Sequence, residues 1–303
     1  MHNFLITIAI PVYERYDFFE EALGSALLQT VNCQVIVVDN HSSHSKFKDY
    51  VNSLNNPNIK YFLNATNLGM IENWNRCIEL CETQWLTILH DDDWLHPNFI
   101  EHINLLQSKY SEAGCFTVSC MYSGAINEEH KRNIKRRYRT NKVSMKYFLF
   151  GGLSPFPGVV FKVKAAAEIN GFLPSLFPVS DYDFWVRLSQ VTPIYRSSAL
   201  FAVYRITQQQ GTKEVYKDII EKSFRIRKEL AQGLGAIWKF LSYYNLFILY
   251  QFYARYDDNK MRTLSNFKDE ELKEKFFKYE RLAKSRVFDG FIKFITTVIL
   301  RLI

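Results

Sequence analysis

Residues Phe4 to Pro11 form an almost unbroken apolar run, rich in β-branched side chains. Such a run predicts a strand buried on both faces, as in a parallel sheet. Gln34–Val38, Ile59–Leu63 and Trp85–Leu89 repeat the pattern, separated by helical stretches at about 17–29, 45–55 and 70–82. This βαβαβαβ alternation predicts a doubly wound α/β sheet with helices on both faces. A helix opens near Pro97, and Cys115–Ser119, Val159–Phe161 and Leu200–Arg205 read as further strands. Val163–Ile169 reads as a short helix stopped by Asn170-Gly171.

From about Thr212 the pattern turns helical. Lys213–Ala231 reads as one helix and Leu234–Tyr256 as a second, unusually aromatic one. The uncharged part of the latter, Phe240–Ala254, is short against the roughly 20 residues that cross a bilayer. It is expected to pack on the core or lie at an interface. Arg286–Ile303 places Phe288, Phe291, Ile292, Ile295, Ile299 and Leu302 at helical spacing, with Arg286, Lys293 and Arg301 interspersed. Two readings stand side by side: an amphipathic helix lying on a membrane face, or one docked on its own domain or on a second copy of the chain.

The chain has 303 residues, a net charge of +7 and a high aromatic content of 25 Phe, 18 Tyr and 5 Trp. A basic balance implies an anionic partner: nucleic acid, anionic lipid or a nucleotide-bearing substrate. The run His130–Arg139 holds six Lys and Arg residues. It reads as a basic loop suited to a pyrophosphate or to anionic headgroups, in preference to a nucleic-acid patch, with a solvated loop that has no partner as the plain alternative. Nucleic acid is not expected as a partner. The five cysteines are scattered without a CxxC pair or zinc-ligand spacing, which fits a reducing compartment. No secretory leader is expected at the start, where Pro11 and charges interrupt the apolar run. Neither GxGxxG nor GxxxxGK[ST] occurs, so a dinucleotide-binding dehydrogenase and a P-loop phosphotransferase are poor readings.

The densest chemistry lies at Asp91-Asp92-Asp93, directly after the strand Trp85–Leu89. Strand alternation would point Asp91 and Asp93 one way and Asp92 another. Two carboxylates about 4 Å apart repel by about 4 kcal/mol at an effective dielectric near 20, so a cation is expected nearby. Oxygen ligands suit Mg²⁺ or Mn²⁺ bridging to a phosphate, and open α/β sheets bind ligands at the carboxyl ends of their strands. The competing reading is a solvated acidic turn that caps the next helix. Asp39 also ends a strand, where it either accepts hydrogen bonds from a ribose or base or simply caps a turn.

Five motifs then occur in order: Ile10-Pro11-Val12-Tyr13, Val37-Val38-Asp39-Asn40, Asn67-Leu68-Gly69, the Asp triplet, and Ser180-Asp181-Tyr182-Asp183-Phe184-Trp185. Together they resemble the family 2 glycosyltransferases, inverting enzymes of the GT-A fold, over about residues 4–206. The resemblance implies a mixed, mainly parallel sheet flanked by helices. A catalytic domain would span 1–210, with a nucleotide-sugar half at about 1–95 and an acceptor half at about 96–210. A helical extension would occupy 211–303. It implies that Pro11, Tyr13, Glu14, Asp39, Asn67 and Gly69 border the nucleotide, and that Asp91 contacts ribose or metal. Asp93 would bind the metal, with Asp92 the uncertain member and His90 structural. Gly158 would lie near the sugar.

An inverting transfer needs a carboxylate that takes the acceptor hydroxyl's proton. The resemblance assigns this to Asp181, with Asp183 as competitor; Ser180 stands where the family has Glu. Helix-dipole acids in a first turn are the simpler reading of both. Arg205 would face the diphosphate. Family members often carry a His two residues further on, and here that position is Thr207, so a third protein ligand is in question.

The resulting expectation is a Mg²⁺- or Mn²⁺-dependent sugar transferase. Its donor would be a nucleoside-diphosphate sugar, UDP first, with dTDP or GDP as alternatives. The acceptor would be a glycan or lipid-linked glycan of a bacterial surface polysaccharide, met at the inner face of the cell membrane. A homo-oligomer remains open. The rivals are a nucleotidyltransferase on a related sheet, which would release pyrophosphate, and a non-catalytic membrane-associated scaffold.

Overall fold

The computed structural model describes residues 5–124, 138–153, 156–206, 212–254 and 267–302. Its chain divides into two units. Unit 1 draws on Met1–Lys142, Leu153–Pro174 and Arg187–Gln208, and unit 2 on Val143–Gly152, Ser175–Val186 and Gln209–Ile303.

Unit 1 carries one mixed sheet. Its strands are β1 (Ile6–Val12), β2 (Gln34–Asp39), β3 (Ile59–Leu63), β4 (Trp85–Ile88), β5 (Trp94–Leu95), β6 (Cys115–Ser123), β7 (Thr140–Lys142), β8 (Val159–Lys162) and β9 (Ile194–Arg205). They run in the order β3-β2-β1-β4-β8-β6-β9-β5, with β7 also on β9. The first four are mutually parallel, β8 is antiparallel to β4 and β6, and β6 is parallel to β9. The helices are α1 (Phe19–Leu27), α2 (Lys46–Ser53), α3 (Met70–Glu79), α4 (Phe99–Lys109) and α5 (Val163–Glu168). The parallel half follows the predicted alternation because β1 and β2 are buried along almost their whole length, which demands continuous apolar sequence. Phe19 of α1 and Phe47 of α2 meet edge to face at 4.8 Å in the core below β1 and β2.

Pro11 sits inside β1 without breaking the sheet. Ala9 accepts the Leu89 N–H at 2.9 Å on the β4 side. Pro11, two residues on, faces that side beyond the last β1–β4 pair, Ala9 with Ile88, so the missing N–H interrupts no ladder bond. β5, β7 and the first half of β9 escaped prediction. Two residues make β5, and polar Thr140-Asn141-Lys142 and Arg196-Ser197-Ser198 carry no apolar period.

Helix α6 (Ser180–Val191) begins in unit 2, which also holds α7 (Thr212–Leu230), α8 (Ala236–Ala254), α9 (Glu270–Ala283) and α10 (Arg286–Leu302). The aromatic α8 is a core helix: Leu241, Tyr244, Leu246 and Phe247 are buried with Ile220, Phe224, Phe276 and Tyr279. The absence of charge from Phe240 to Ala254 reflects this burial. Segments 143–152 and 175–186 join these helices through specific bonds. The Tyr182 hydroxyl donates to the Phe148 carbonyl, Ser242 Oγ to Leu149 O at 2.7 Å, and Lys222 Nζ to Ser175 O at 3.1 Å. The helical unit therefore recruits chain from before position 210, where the sequence places its boundary.

α10 divides its apolar residues between two faces. Ile292 and Thr296 are buried, and Ile295 and Ile299 are half-buried on the unit 2 core. Val287, Phe291, Phe294 and Val298, spaced i, i+4, i+7, i+11, are exposed. Among the described residues no helix is long and apolar enough to cross a membrane. Residues 130–137 of the basic run, and Thr207 to Gln210, lie outside the described residues.

Candidate active site

The carboxyl ends of β1 to β4 present four connected loops in unit 1. The first is knitted to the second by Glu14, whose backbone has φ +55°. Its carboxylate accepts the Ser43 N–H and hydroxyl, each at 2.8 Å, and these bonds hold it below the usual carboxylate range. Glu14 is thus a clamp between loops. Tyr13 stands exposed beside it, and Pro11 is half-buried.

Asp39 ends β2 fully buried. It accepts the Ser42 N–H at 2.8 Å and the Tyr61 hydroxyl at 2.6 Å. This departs from the expectation that Asp39 faces a base: its carboxylate shapes the loop 40–43 from beneath. A chain of asparagines continues the work. Asn40 donates to Asn67 Oδ1 at 2.8 Å and accepts the Leu68 N–H at 2.9 Å. Asn64 donates to Asn73 at 2.9 Å, and Asn73 to Val38 O at 3.2 Å. Asn67 accepts the Gly69 N–H at 2.8 Å, and Gly69, at φ +81°, opens α3 with free space about it. Asn40, Asn64 and Asn73 carry no chemistry in the sequence reading. Their signal was the density of Asn at strand and helix ends, where side-chain amides satisfy backbone groups.

The Asp triplet lies past the end of β4, in a turn closed by the Asp93 N–H donating to His90 O at 3.1 Å. Strand alternation therefore does not govern it. Asp91 and Asp92 instead turn together toward Arg15, whose Nη2 lies 2.6 Å from Asp91 Oδ1 and 2.8 Å from Asp92 Oδ2. Arg15 is a cation that charge balance demands, and the sequence reading sought it only as a metal. Burial raises the Asp91 carboxyl to about 6 although Arg15 opposes the rise. Burial works against the Arg15 cation, but the two carboxylates outweigh it and hold it charged.

Asp93 is 1% exposed and accepts the Arg205 backbone N–H at 2.9 Å. Burial, reinforced by Asp92, pushes its carboxyl well above the ordinary range. Its Oδ2 has no hydrogen-bond partner among the described residues, nor has His90 Nε2. The His90 ring stacks on Trp74 at 5.6 Å and lies 4.9 Å from Phe156, with Nδ1 3.6 Å from Asp93 Oδ2. One ligand atom from each of His90, Asp92 and Asp93 fits within 4.8 Å. Two carboxylates with an imidazole, and a buried Asp93 Oδ2 without a hydrogen-bond partner, fit a divalent cation. The group differs from the expected Asp91 and Asp93 pair, and it includes the histidine read as structural.

Arg205 does not present its guanidinium to an open site. The group is 4% exposed, pairs with Glu21, donates Nε to Asp92 O at 2.7 Å and lies 4.2 Å from the Phe18 ring centre. It braces the triplet through these contacts, where the sequence analysis expects it to face the diphosphate. Gly158, at φ +107°, packs under β6, where a Cβ would lie 2.8 Å from Val118. In unit 2, Asp181 occupies the first turn of α6, half-buried, and burial raises its carboxyl.

Residues 7–165 match the family model described as Glycosyl transferase family 2. The uncharacterized glycosyltransferase RC0461 of Rickettsia conorii is 27% identical over 227 residues, covering 71% of this chain and 36% of that protein. The chondroitin synthase of Escherichia coli is 23% identical over 234 residues, covering 76% of this chain and 33% of its own. The chain thus spans about a third of the length of these two relatives. Among solved structures, S. aureus TarS 1–349 in complex with UDP-GlcNAc has a TM-score of 0.61 at 12% identity, covering 90% of this chain and 79% of that one. The mannosyltransferase PcManGT from Pyrobaculum calidifontis, in complex with GDP-Man and Mn²⁺, has a TM-score of 0.56 at 12% identity, covering 98% and 85%. At that identity the likeness speaks for the fold.

Proposed function

The chain belongs to the family 2 glycosyltransferases, and from that premise we propose an inverting, divalent-metal-dependent transfer from a nucleoside-diphosphate sugar to a glycan acceptor. The observation that carries the metal is the buried Asp93 Oδ2 without a partner, facing Asp92 and His90. These three residues hold Mn²⁺ or Mg²⁺, and the imidazole tilts the preference toward Mn²⁺. When bound, the ion neutralises charge on the departing diphosphate. Arg15, anchored by Asp91 and about a third exposed, supplies a second positive charge at the same mouth. Tyr13 offers its exposed ring to the nucleotide base. Asn67 and Gly69 border the nucleotide, while Glu14 and Asp39 hold the loops that shape its pocket.

Asp181 is assigned as the base that takes the acceptor hydroxyl's proton, and its raised carboxyl makes it a stronger base than an exposed aspartate. UDP is the preferred donor nucleotide, with dTDP and GDP as alternatives. Chondroitin synthase among the relatives supports an acceptor in bacterial surface polysaccharide. The exposed stripe Val287, Phe291, Phe294 and Val298, with Lys293 beside it, meets the inner face of the cell membrane.

The deciding experiment is a nucleotide-sugar panel scored for nucleoside-diphosphate release with Mn²⁺, Mg²⁺ or chelator. Release that needs the ion and disappears in Asp92→Ala and Asp93→Ala supports the reading. Ion-independent release, or pyrophosphate as product, overturns it. For the membrane face, Phe291→Ser with Phe294→Ser should abolish flotation with anionic liposomes; unchanged flotation removes α10 as the contact.

A further inference from the structure

Unit 2 contains a groove lined by none of the residues assigned above to the transfer. It has a volume of about 410 Å³, inside the range of roughly 300–1,000 Å³ typical of small-ligand pockets. Four lysines from three helices line it: Lys228 of α7, Lys239 of α8, and Lys275 and Lys278 of α9. A single carboxylate answers them. Glu271 pairs with Lys228 and, at 3.4 Å, with Lys275, while Lys239 and Lys278 have no acidic partner among the described residues. Like charges gathered on one concavity with low-dielectric walls focus a positive field, and an anion relieves it.

The lining between the lysines is aromatic. Phe240 is half-buried and meets Tyr279 edge-on at 5.6 Å, and Lys275 lies 5.1 Å from the Tyr243 ring centre. Solvated helix faces need no such lining, and a bare anion would not use it. A ligand carrying both an apolar face and negative charge uses both parts. A sugar ring presents its C–H face to aromatic carbon, and its carboxylate or phosphate meets the ammonium groups. None of the exposed apolar residues of α10 lines this groove, so it is separate from the stripe assigned to the membrane. We infer that the groove binds an anionic saccharide, a carboxylate- or phosphate-bearing stretch of glycan, at a site of its own on the helical unit. Held there, a growing chain would re-engage at high effective concentration after each transfer. The binding itself does not depend on the donor chemistry.

Calorimetric titration of the full chain with tetragalacturonate tests this, at about 0.15 M salt where charges screen over about 8 Å. Saturable binding is expected, weakened about tenfold or more by Lys239→Glu with Lys278→Glu, which removes two ion pairs and adds repulsion. Nucleoside-diphosphate release from the donor should be unchanged in that variant. Phe240→Leu should weaken tetragalacturonate while leaving inorganic phosphate unaffected. Equal affinity in wild type and the lysine variant overturns the proposal. So does equal binding of uncharged cellotetraose, or inorganic phosphate binding as tightly as the oligomer. Lysine-dependent binding of phosphatidylglycerol vesicles without tetragalacturonate binding would make the groove a membrane contact and overturn it equally.

Discussion

Asp93 and Arg205 are joined by a 2.9 Å bond from the Arg205 backbone N–H to Asp93 Oδ1, across 112 positions of sequence. β9 thereby holds one carboxylate oxygen, leaving Oδ2 directed at His90 and Asp92. An ion bound only by the folded protein at 100 times its dissociation constant would stabilise it by about 2.7 kcal/mol. Wild type should therefore show a higher melting temperature with Mn²⁺, and Asp93→Asn should lose that shift while melting no lower without metal, because the amide oxygen still accepts the Arg205 N–H and no carboxylate is left to bury. Equal shifts in both proteins would exclude Asp93 as a ligand.

Arg15 holds Asp91 and Asp92 in a partly buried pair, so Arg15→Ala should cost about 1–3 kcal/mol at neutral pH, between the exposed and fully buried cases. The loss should shrink as pH falls through about 6, where Asp91 takes up a proton and no longer needs a cation. Urea denaturation of both proteins at pH 7.5 and 5 (each end about a unit or more from that midpoint) checks this. A pH-independent difference would argue against the pair.

Asp181→Asn should lower turnover by about 10²–10⁴-fold with little effect on stability, as loss of a general base does. The base works only when ionised, so wild-type activity must fall as pH drops through the Asp181 pKa. Burial raises that pKa, placing the acid limb above the value of about 3.9 for an exposed aspartate. Wild-type turnover in Asp181→Asn would pass the role to Asp183.

His102 is 4% exposed, lies 3.0 Å from the Ser197 hydroxyl, and burial lowers it to about 4. Its folded pKa lies below the ordinary 6.5, so the unfolded chain binds the extra proton between those values. Stability should accordingly fall as pH drops from about 6.5 to 4, by about 3 kcal/mol from this group. His102→Gln should flatten that part of the melting profile. An unchanged slope would assign the effect to other groups.

The alternation of buried strands and amphipathic helices from β1 to β4, and the placing of Asp39 and the Asp triplet at strand ends, were legible without coordinates. Burial on two faces writes a continuous apolar run, and burial on one helical face writes a 3.6-residue period. The aromatic α8 was legible as apolar but not as the centre of a helical core, because composition does not reveal which helices enclose it. Edge strands such as β7 left no trace, since a polar ribbon paired on one side obeys no period.

The details of the candidate site belong to a different class of information. Arg15 reaches Asp91 across 76 positions, and the turn after Ile88 decides that Asp92, not Asp91, joins His90 and Asp93. Arg205 looks like a free cation in sequence and is a buried brace in the fold. Local sequence determined which residue types stand at the strand ends, because secondary structure follows from neighbours along the chain. Only the tertiary structure decided which of those side chains face one another, because that depends on loops closing in space.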